Sequence, residues 1–294
     1  MVFGGTLGGI LQASLQEHSV AYAAIRTLIE KLSSQPDLHA ALRLAPDGTV
    51  LGRFYEFELA SGFQPVVRID TRAVAGYDAY ARSHATDGDV ISPWGLFSRA
   101  ADDATLVRLD RLCRLVHTLN YFSKADALHP LYLRVHGRLL AAITHDHGQA
   151  FRRMVEALGI PPARIVLQLP AEAAQDVLLA GMILGNYKKA GFQSGVHANN
   201  VGEAQSLLHL HAPEVIKLDL RTVADPEREL PPLLETAAGL SCQVVFKRVE
   251  DEASLARLAA LGAQYAQGYL FGAPSASLAS PSPQAAAAPE PPAA

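Results

Sequence analysis

The chain has 294 residues, 49% apolar and 18% charged, with a net charge of −4. Such a composition can bury a full core, and its interspersed acids and bases lack the basic stripe of a nucleic-acid surface, so neither DNA nor RNA is expected as a partner. No stretch reaches the roughly 18 uninterrupted apolar residues of a membrane-spanning helix. Met1-Val2-Phe3-Gly4-Gly5 also lacks the basic start of a secretory signal, so a cytoplasmic protein without membrane contact is expected. Cys113 and Cys242 stand far apart, with no metal or redox spacing, and read as small buried apolar residues.

At the N-terminus, Leu7, Leu11 and Leu15, then Ala21, Ile25, Leu28, Ile29 and Leu32, recur every three or four residues. That period predicts a helix or helix pair through residues 6–33, ended by Ser33-Ser34-Gln35-Pro36-Asp37. Residues 1–40 therefore form an expected helical segment, either packed on the next domain or used for dimerisation.

Short apolar runs then alternate with helical stretches. Strands are predicted at Phe63–Ile69, Leu131–Val135, Arg164–Leu169, Phe192–His197, Val215–Leu218 and Gln243–Phe246. Helices are predicted at His147–Leu158, stopped by Gly159, and at Asp251–Leu261, stopped by Gly262. This alternation implies βα units, a mainly parallel sheet able to close into a barrel, and a functional face at the strands' C-terminal ends. After Pro274 the Ala/Pro/Ser-rich residues 275–294 cannot bury a core and are expected to be a disordered tail.

Several segments carry a resemblance, in the right order from about residue 60 to residue 274. Phe63-Gln64-Pro65-Val66-Val67 followed by Gly76-Tyr77-Asp78-Ala79-Tyr80-Ala81-Arg82 resembles the EAL family's opening "FQPI…GYEALLR". Ser92-Pro93, Phe97, Ala101-Asp102 and Leu109-Asp110 resemble its next helix region, and Val215-Ile216-Lys217-Leu218-Asp219 its "lKiD" strand. Gln243-Val244-Val245 with Val249-Glu250 is similar to "vvAEGVE", and Gln267-Gly268-Tyr269 with Phe271 and Pro274 to the closing "QGy.f..P". The resemblance implies an α/β fold, a modified (β/α)8 TIM-like barrel over residues 41–274. It also implies cyclic di-GMP at the strand ends and, in active members, two Mg²⁺ or Mn²⁺ ions that activate water to open the ring to pGpG.

The departures bear on the chemistry. By that resemblance the family's naming Glu falls on Asp78, its metal-binding Asn on Arg134, its strand Glu on Gln168, its paired aspartates on His197 and Ala198, and the two glutamates of "AEGVE" on Lys247 and Glu250. An ammonium about 4 Å from a divalent cation is repelled by roughly 8 kcal/mol at an effective dielectric near 20, so Arg134 and Lys247 oppose metal binding. No metal or other cofactor is expected. Lys217 stands at the position of the family's catalytic Lys, and it equally suits a partner for Asp78 or Asp219.

Arg82 falls where the family grips a phosphate, while Gln64, Pro65, Tyr80, Lys217, Gln267 and Pro274 fall along its ligand groove. Two readings of the basic residues stay open. Arg134, Lys217 and Lys247 hold a dianion in place of metals, or Arg134 and Lys247 form internal salt bridges with Asp78, Asp219 and Glu250. His136 and His197, at strand ends, are candidates for ligand contact. His145-Asp146-His147 and His209-Leu210-His211 read as ordinary solvated histidines rather than metal pairs. Three functions follow: a noncatalytic cyclic di-GMP receptor or regulator, a protein-interaction module without nucleotide, and a weak phosphodiesterase. A protein partner and a homodimer are the expected associations.

Overall fold

Short apolar runs become strands where neighbouring elements cover both of their faces. The structure, a computed structural model, describes residues 26–27, 29–30, 40–85, 90–124, 126–142 and 148–278. Among these the chain opens with β1 (Leu42–Leu44), β2 (Val50–Phe54), β3 (Phe57–Arg68), β4 (Val74–Ala85) and β5 (Val90–Ile91). Helices α1 (Pro93–Ser98) and α2 (Asp103–Phe122) follow, then β6 (Leu131–Arg134), α3 (Arg138–Ala142) and α4 (Gln149–Ala157). The remainder alternates β7 (Ile165–Leu169), α5 (Val177–Lys189), β8 (Gln193–Ala198), α6 (Val201–His211), β9 (Val215–Asp219), α7 (Pro226–Gly239), β10 (Gln243–Lys247), α8 (Glu252–Ala260) and β11 (Tyr265–Ala266).

The sheet order β3-β11-β10-β9-β8-β7-β6-β4, with β4 returning to β3, closes an eight-stranded barrel. Neighbours from β4 round to β11 run parallel, whereas β3 is antiparallel to both of its partners. The helices cover the outside and share one apolar core with the strands. Inside, Val66, Tyr132, Val166, Val215 and Val245 make an apolar plug, with Tyr265 against it. Strand side chains alternate between faces, so Arg134, Gln168, Lys217 and Lys247, each two residues beyond a plug residue, share its inward side. The barrel interior therefore turns from apolar to polar towards the strands' C-terminal ends. Gly76 makes room for the plug: a Cβ there would lie 2.3 Å from the Tyr132 ring.

Five of the six predicted strands recur within two residues at each end, while the one expected at Phe63–Ile69 starts six residues earlier, as β3 at Phe57–Arg68. The helix expected at 147–158 is observed at Gln149–Ala157 and that at 251–261 at Glu252–Ala260, with Gly159 and Gly262 in left-handed conformations (φ 76° and 85°) as the stops. Five strands were not predicted: β1, β2, the long β4 carrying the Gly76–Arg82 motif, β5 and the two-residue β11. The expected helix over 6–33 lies outside the described residues except at 26–27 and 29–30, which are helical; Ile29 packs on the main core. Residues 275–278 of the expected tail pack on the barrel, and 279–294 lie outside the described residues. Ser275 and Phe63 exchange two backbone hydrogen bonds, the Tyr77 hydroxyl donates to the Leu278 carbonyl at 2.9 Å, and Leu278 is buried. No helix among the described residues is long and apolar enough to cross a membrane.

Helix α2 fastens the β1–β3 arm to the barrel. Asp102 caps it by accepting from the Thr105 amide at 2.7 Å, and Leu109, Leu112, Cys113 and Val116 pack on Phe54, Phe57 and Leu59. Asn120 brackets the Val50 backbone, accepting from its N–H and donating to its carbonyl, both at 2.8 Å. It also donates to the Ser61 hydroxyl, which lies 2.8 Å from His117 Nδ1. Burial pushes the His117 imidazole down to about 4, so it is neutral in the folded protein near neutral pH. The unfolded chain binds this proton below its ordinary value of 6.5, so stability is lost as pH falls through the interval down to about 4. The melting temperature should drop from about pH 7 to about pH 5, and His117→Gln should shrink that drop. An equal drop in the variant would remove His117 from the account.

Candidate functional site

At the C-terminal end of the barrel, strand register sets polar side chains side by side. Gln64 on β3 is paired with Asp78 on β4, Arg134 on β6 with Gln168 on β7, His197 on β8 with Lys217 on β9, and Asp219 with Lys247 on β10. Gln267 follows β11 directly.

Asp78 is the centre of this layer and is 1% exposed. One carboxylate oxygen accepts from the Gln168 amide at 2.8 Å. The other accepts from Lys217 Nζ at 2.9 Å, Gln267 Nε2 at 3.1 Å and the Tyr80 hydroxyl at 3.2 Å. Burial alone would raise the carboxyl pKa, but the charges of Lys217 and Arg134 and the bonds from Lys217 and Gln168 hold it below the ordinary value. Asp78 is thus a carboxylate, and burial together with that carboxylate pushes the Tyr80 phenol up, so the phenol keeps its proton.

Lys217 is fully enclosed. Its ammonium also donates to Gln267 Oε1 at 3.1 Å and sits 4.5 Å from the centre of the Tyr132 ring. Gln267 passes the network on to Gln64 Oε1 at 3.0 Å, and Gln64 Nε2 donates to the Gly272 carbonyl at 3.0 Å. On the other side, His197 Nε2 lies 3.1 Å from Gln168 Oε1 and His197 Nδ1 lies 3.1 Å from Lys247 Nζ. Burial and the charges of Arg134, Lys247 and Lys217 push the imidazole well below its ordinary value, so His197 is neutral. Burial and Arg134 lower the Lys247 ammonium to about 8.

Asp78, Gln168, His197, Lys217, Lys247, Gln64, Tyr80 and Gln267 are thus brought into one hydrogen-bonded layer. Other candidates are not. Arg134 is exposed at the mouth and makes no ion pair or hydrogen bond among the described residues, although Asp78, His197 and Lys247 feel its charge. Arg82 is exposed and donates to the Pro274 carbonyl. Ala198 and Pro65 follow inward-facing residues, so strand alternation turns them outward. Glu250 is exposed and outside the layer.

Of the two open readings of the basic residues, the salt bridges of Arg134 and Lys247 with Asp78, Asp219 and Glu250 are not formed. Lys217 is the partner of Asp78, and Asp219 pairs with Arg221 at 3.0 Å and Arg248 at 3.1 Å. A guanidinium already beside Asp219 leaves Lys247 to the imidazole. His136, expected at the groove, instead stacks on Phe97 with ring centroids 4.4 Å apart. His209 at the end of α6 is exposed, whereas His211, expected to be solvated, is half-buried with its Nε2 enclosed, and His145–His147 lies outside the described residues. Tyr132, Arg221 and Arg248 were missed; Tyr132 had a signal, since it stands two residues before Arg134 on the same strand face. Among the described residues no three or more His, Cys, Asp or Glu side chains converge as a metal site.

Comparison with known proteins places this arrangement. The EAL domain model matches residues 54–274. A probable cyclic di-GMP phosphodiesterase, PdeB of Escherichia coli K12, is 23% identical over 217 residues, covering 71% of this chain and 41% of that protein. An uncharacterised Azorhizobium caulinodans protein is 24% identical over 73% of this chain and 31% of its own length, so the chain spans about a third to two fifths of these curated relatives. Among solved structures, a standalone EAL protein of Vibrio cholerae with cyclic di-GMP bound superposes with a TM-score of 0.64 at 22% identity, covering 80% of this chain and all of that one. With an EAL-type barrel closed by an antiparallel β3, and with the family model matched across the whole of that barrel, the chain belongs to the EAL domain family.

Proposed function

We propose that this chain binds cyclic di-GMP at the C-terminal mouth of its barrel without metal ions and without hydrolysing it, as a receptor or regulator in second-messenger signalling. The observation that carries this reading is that the polar layer holds one carboxylate, Asp78, with neutral Gln168 and His197 and the cations Lys217 and Lys247 around it. Both oxygens of Asp78 are occupied by four donors, Gln168 is a neutral amide, and both nitrogens of His197 are engaged. The Lys247 ammonium beside them repels any cation. These residues do not fit a pair of divalent ions, and no hydrolytic step is derived through one.

What the mouth offers instead is positive charge. The Arg134 guanidinium, without an ion pair among the described residues, presents a planar fork of donors that phosphate oxygens accept in pairs. Tyr269, 38% exposed just after Gln267, offers an aromatic face to a base. Cyclic di-GMP is the ligand chosen because the Vibrio cholerae relative carries it in the same fold.

The second reading, a protein-interaction module that binds no nucleotide, draws on Arg82, whose guanidinium is already engaged by the Pro274 carbonyl. Exposed Leu178 and Met182 on α5 and Leu210 on α6 supply apolar surface for a partner or a second copy.

Titration calorimetry with cyclic di-GMP should give the same affinity in Mg²⁺ as in EDTA. Arg134→Ala should weaken it about tenfold, the worth of one charge-assisted hydrogen bond. Strict metal dependence, or conversion to pGpG in Mg²⁺, would overturn the proposal, and absence of heat in both buffers would favour the interaction module. Lys217→Met strands the Asp78 carboxylate and should cost about 3–5 kcal/mol in denaturant unfolding, while Asp78→Asn added to it should recover part of the loss. A single variant of wild-type stability would show that the pair does not hold the layer together.

A further inference from the structure

The hydrogen-bond relay from Asp78 to Lys247 has only one consistent proton order. A carboxylate accepts and never donates, so the Gln168 amide nitrogen faces Asp78 and its oxygen faces His197. His197 Nε2 must therefore carry the imidazole hydrogen. That leaves a lone pair on Nδ1, 3.1 Å from Lys247 Nζ, in a ring that burial keeps neutral. A standing proton acceptor is thus aimed at an amine.

Lys247 differs from Lys217, the other lysine of the polar layer, in two respects. Lys217 is enclosed and paired with a carboxylate, whereas Lys247 ends β10, is partly exposed and forms no ion pair among the described residues. Its environment lowers the ammonium to about 8, which leaves a substantial fraction as free amine in mildly alkaline solution. Arg134, whose charge acts on Lys247, forms no ion pair among the described residues. A nucleophilic nitrogen, a proton acceptor and an anion-binding group thus share one mouth.

We propose that Lys247 is a reactive amine that forms a Schiff base with small anionic aldehydes or ketones, with Arg134 holding the anion and His197 Nδ1 relaying the proton. The amine lone pair attacks the carbonyl carbon, forming the C–N bond, and a nitrogen proton passes through His197 Nδ1 to the carbonyl oxygen. The carbinolamine then loses that oxygen as water while C=N forms, both hydrogens of the water coming from the nitrogen. No oxidant or reductant is needed. The inference stands apart from the nucleotide reading, since it requires no cyclic di-GMP.

The test uses the full chain with pyridoxal 5′-phosphate as the anionic aldehyde, borohydride reduction and peptide mapping. The chain has six lysines, Lys31, Lys124, Lys188, Lys189, Lys217 and Lys247, so each site is resolved. Label should concentrate at Lys247, and Lys247→Arg should abolish that adduct with the melting temperature retained. Arg134→Ala, at an exposed position, should slow labelling of Lys247 about tenfold, the loss of one charge-assisted hydrogen bond. The same substitution also lets the pKa of the Lys247 ammonium rise, so it should slow a neutral aldehyde too, but distinctly less than pyridoxal 5′-phosphate. An equal slowing of both would remove the anion contact. Label spread over exposed Lys188 and Lys189 as readily as over Lys247, or a rate at Lys247 indifferent to Arg134, would overturn the proposal.

Discussion

Two opposite charges lie sealed in the middle of the barrel, Asp78 and Lys217, at 1% and 0% exposure. Removing each from water costs several kcal/mol, and their attraction offsets that cost only where the remaining donors and acceptors are also satisfied. Here they are: Gln168, Gln267 and Tyr80 complete the carboxylate, while Gln267 and the Tyr132 ring complete the ammonium. The groups come from β4, β6, β7 and β9 and from the residue after β11, so the pair is correctly solvated only when the barrel is closed in register. The polar layer in turn rests on the apolar plug of Val66, Tyr132, Val166, Val215 and Val245.

Closure depends on elements that do little else. Strand β11 is two residues long, yet it joins β10 to the antiparallel β3 and delivers Gln267 to the centre. Gly268 follows because a Cβ there would fall 2.0 Å from the Val249 carbonyl oxygen. On the outside, α2 clamps β2 and β3 through Asn120, Ser61 and His117, and residues 275–278 seal the seam beside Phe63 and Tyr77. The mouth is thereby built on rigid strand ends rather than on free loops.

Electrostatically, cations outnumber acids around the buried carboxylate of the mouth. One buried carboxylate faces Lys217, Lys247 and Arg134, and the next acid outward, Asp219, is held by two exposed arginines. Such a field repels cations and attracts anions. Both the metal-free reading of cyclic di-GMP binding and the reactive Lys247 follow from this one excess of cations. They differ in what they ask of it: the first needs fixed positive charge, the second an amine that gives its charge up.

Much of this was legible in the sequence because it is periodic or locally encoded. The alternating βα pattern determined a mainly parallel sheet able to close, Gly159 and Gly262 determined helix ends, and the order of motifs from Phe63 to Pro274 carried the resemblance to the EAL family and its barrel. Replacement of an Asn by Arg134 and of acids by Gln168, His197 and Lys247 was equally readable, since residue type at a strand end needs no coordinates. Pairing was not. Lys217, rather than Arg134 or Lys247, holds Asp78; Arg221 and Arg248 take Asp219; and His136 turns to Phe97. These choices depend on strand register and on which cation reaches a carboxylate first, and side chains up to 189 residues apart in sequence compete for the same oxygen. Sequence by itself decided what charges the mouth contains, and tertiary structure decided which of them remain unpaired, because only closure of the barrel brings the competitors within hydrogen-bond distance.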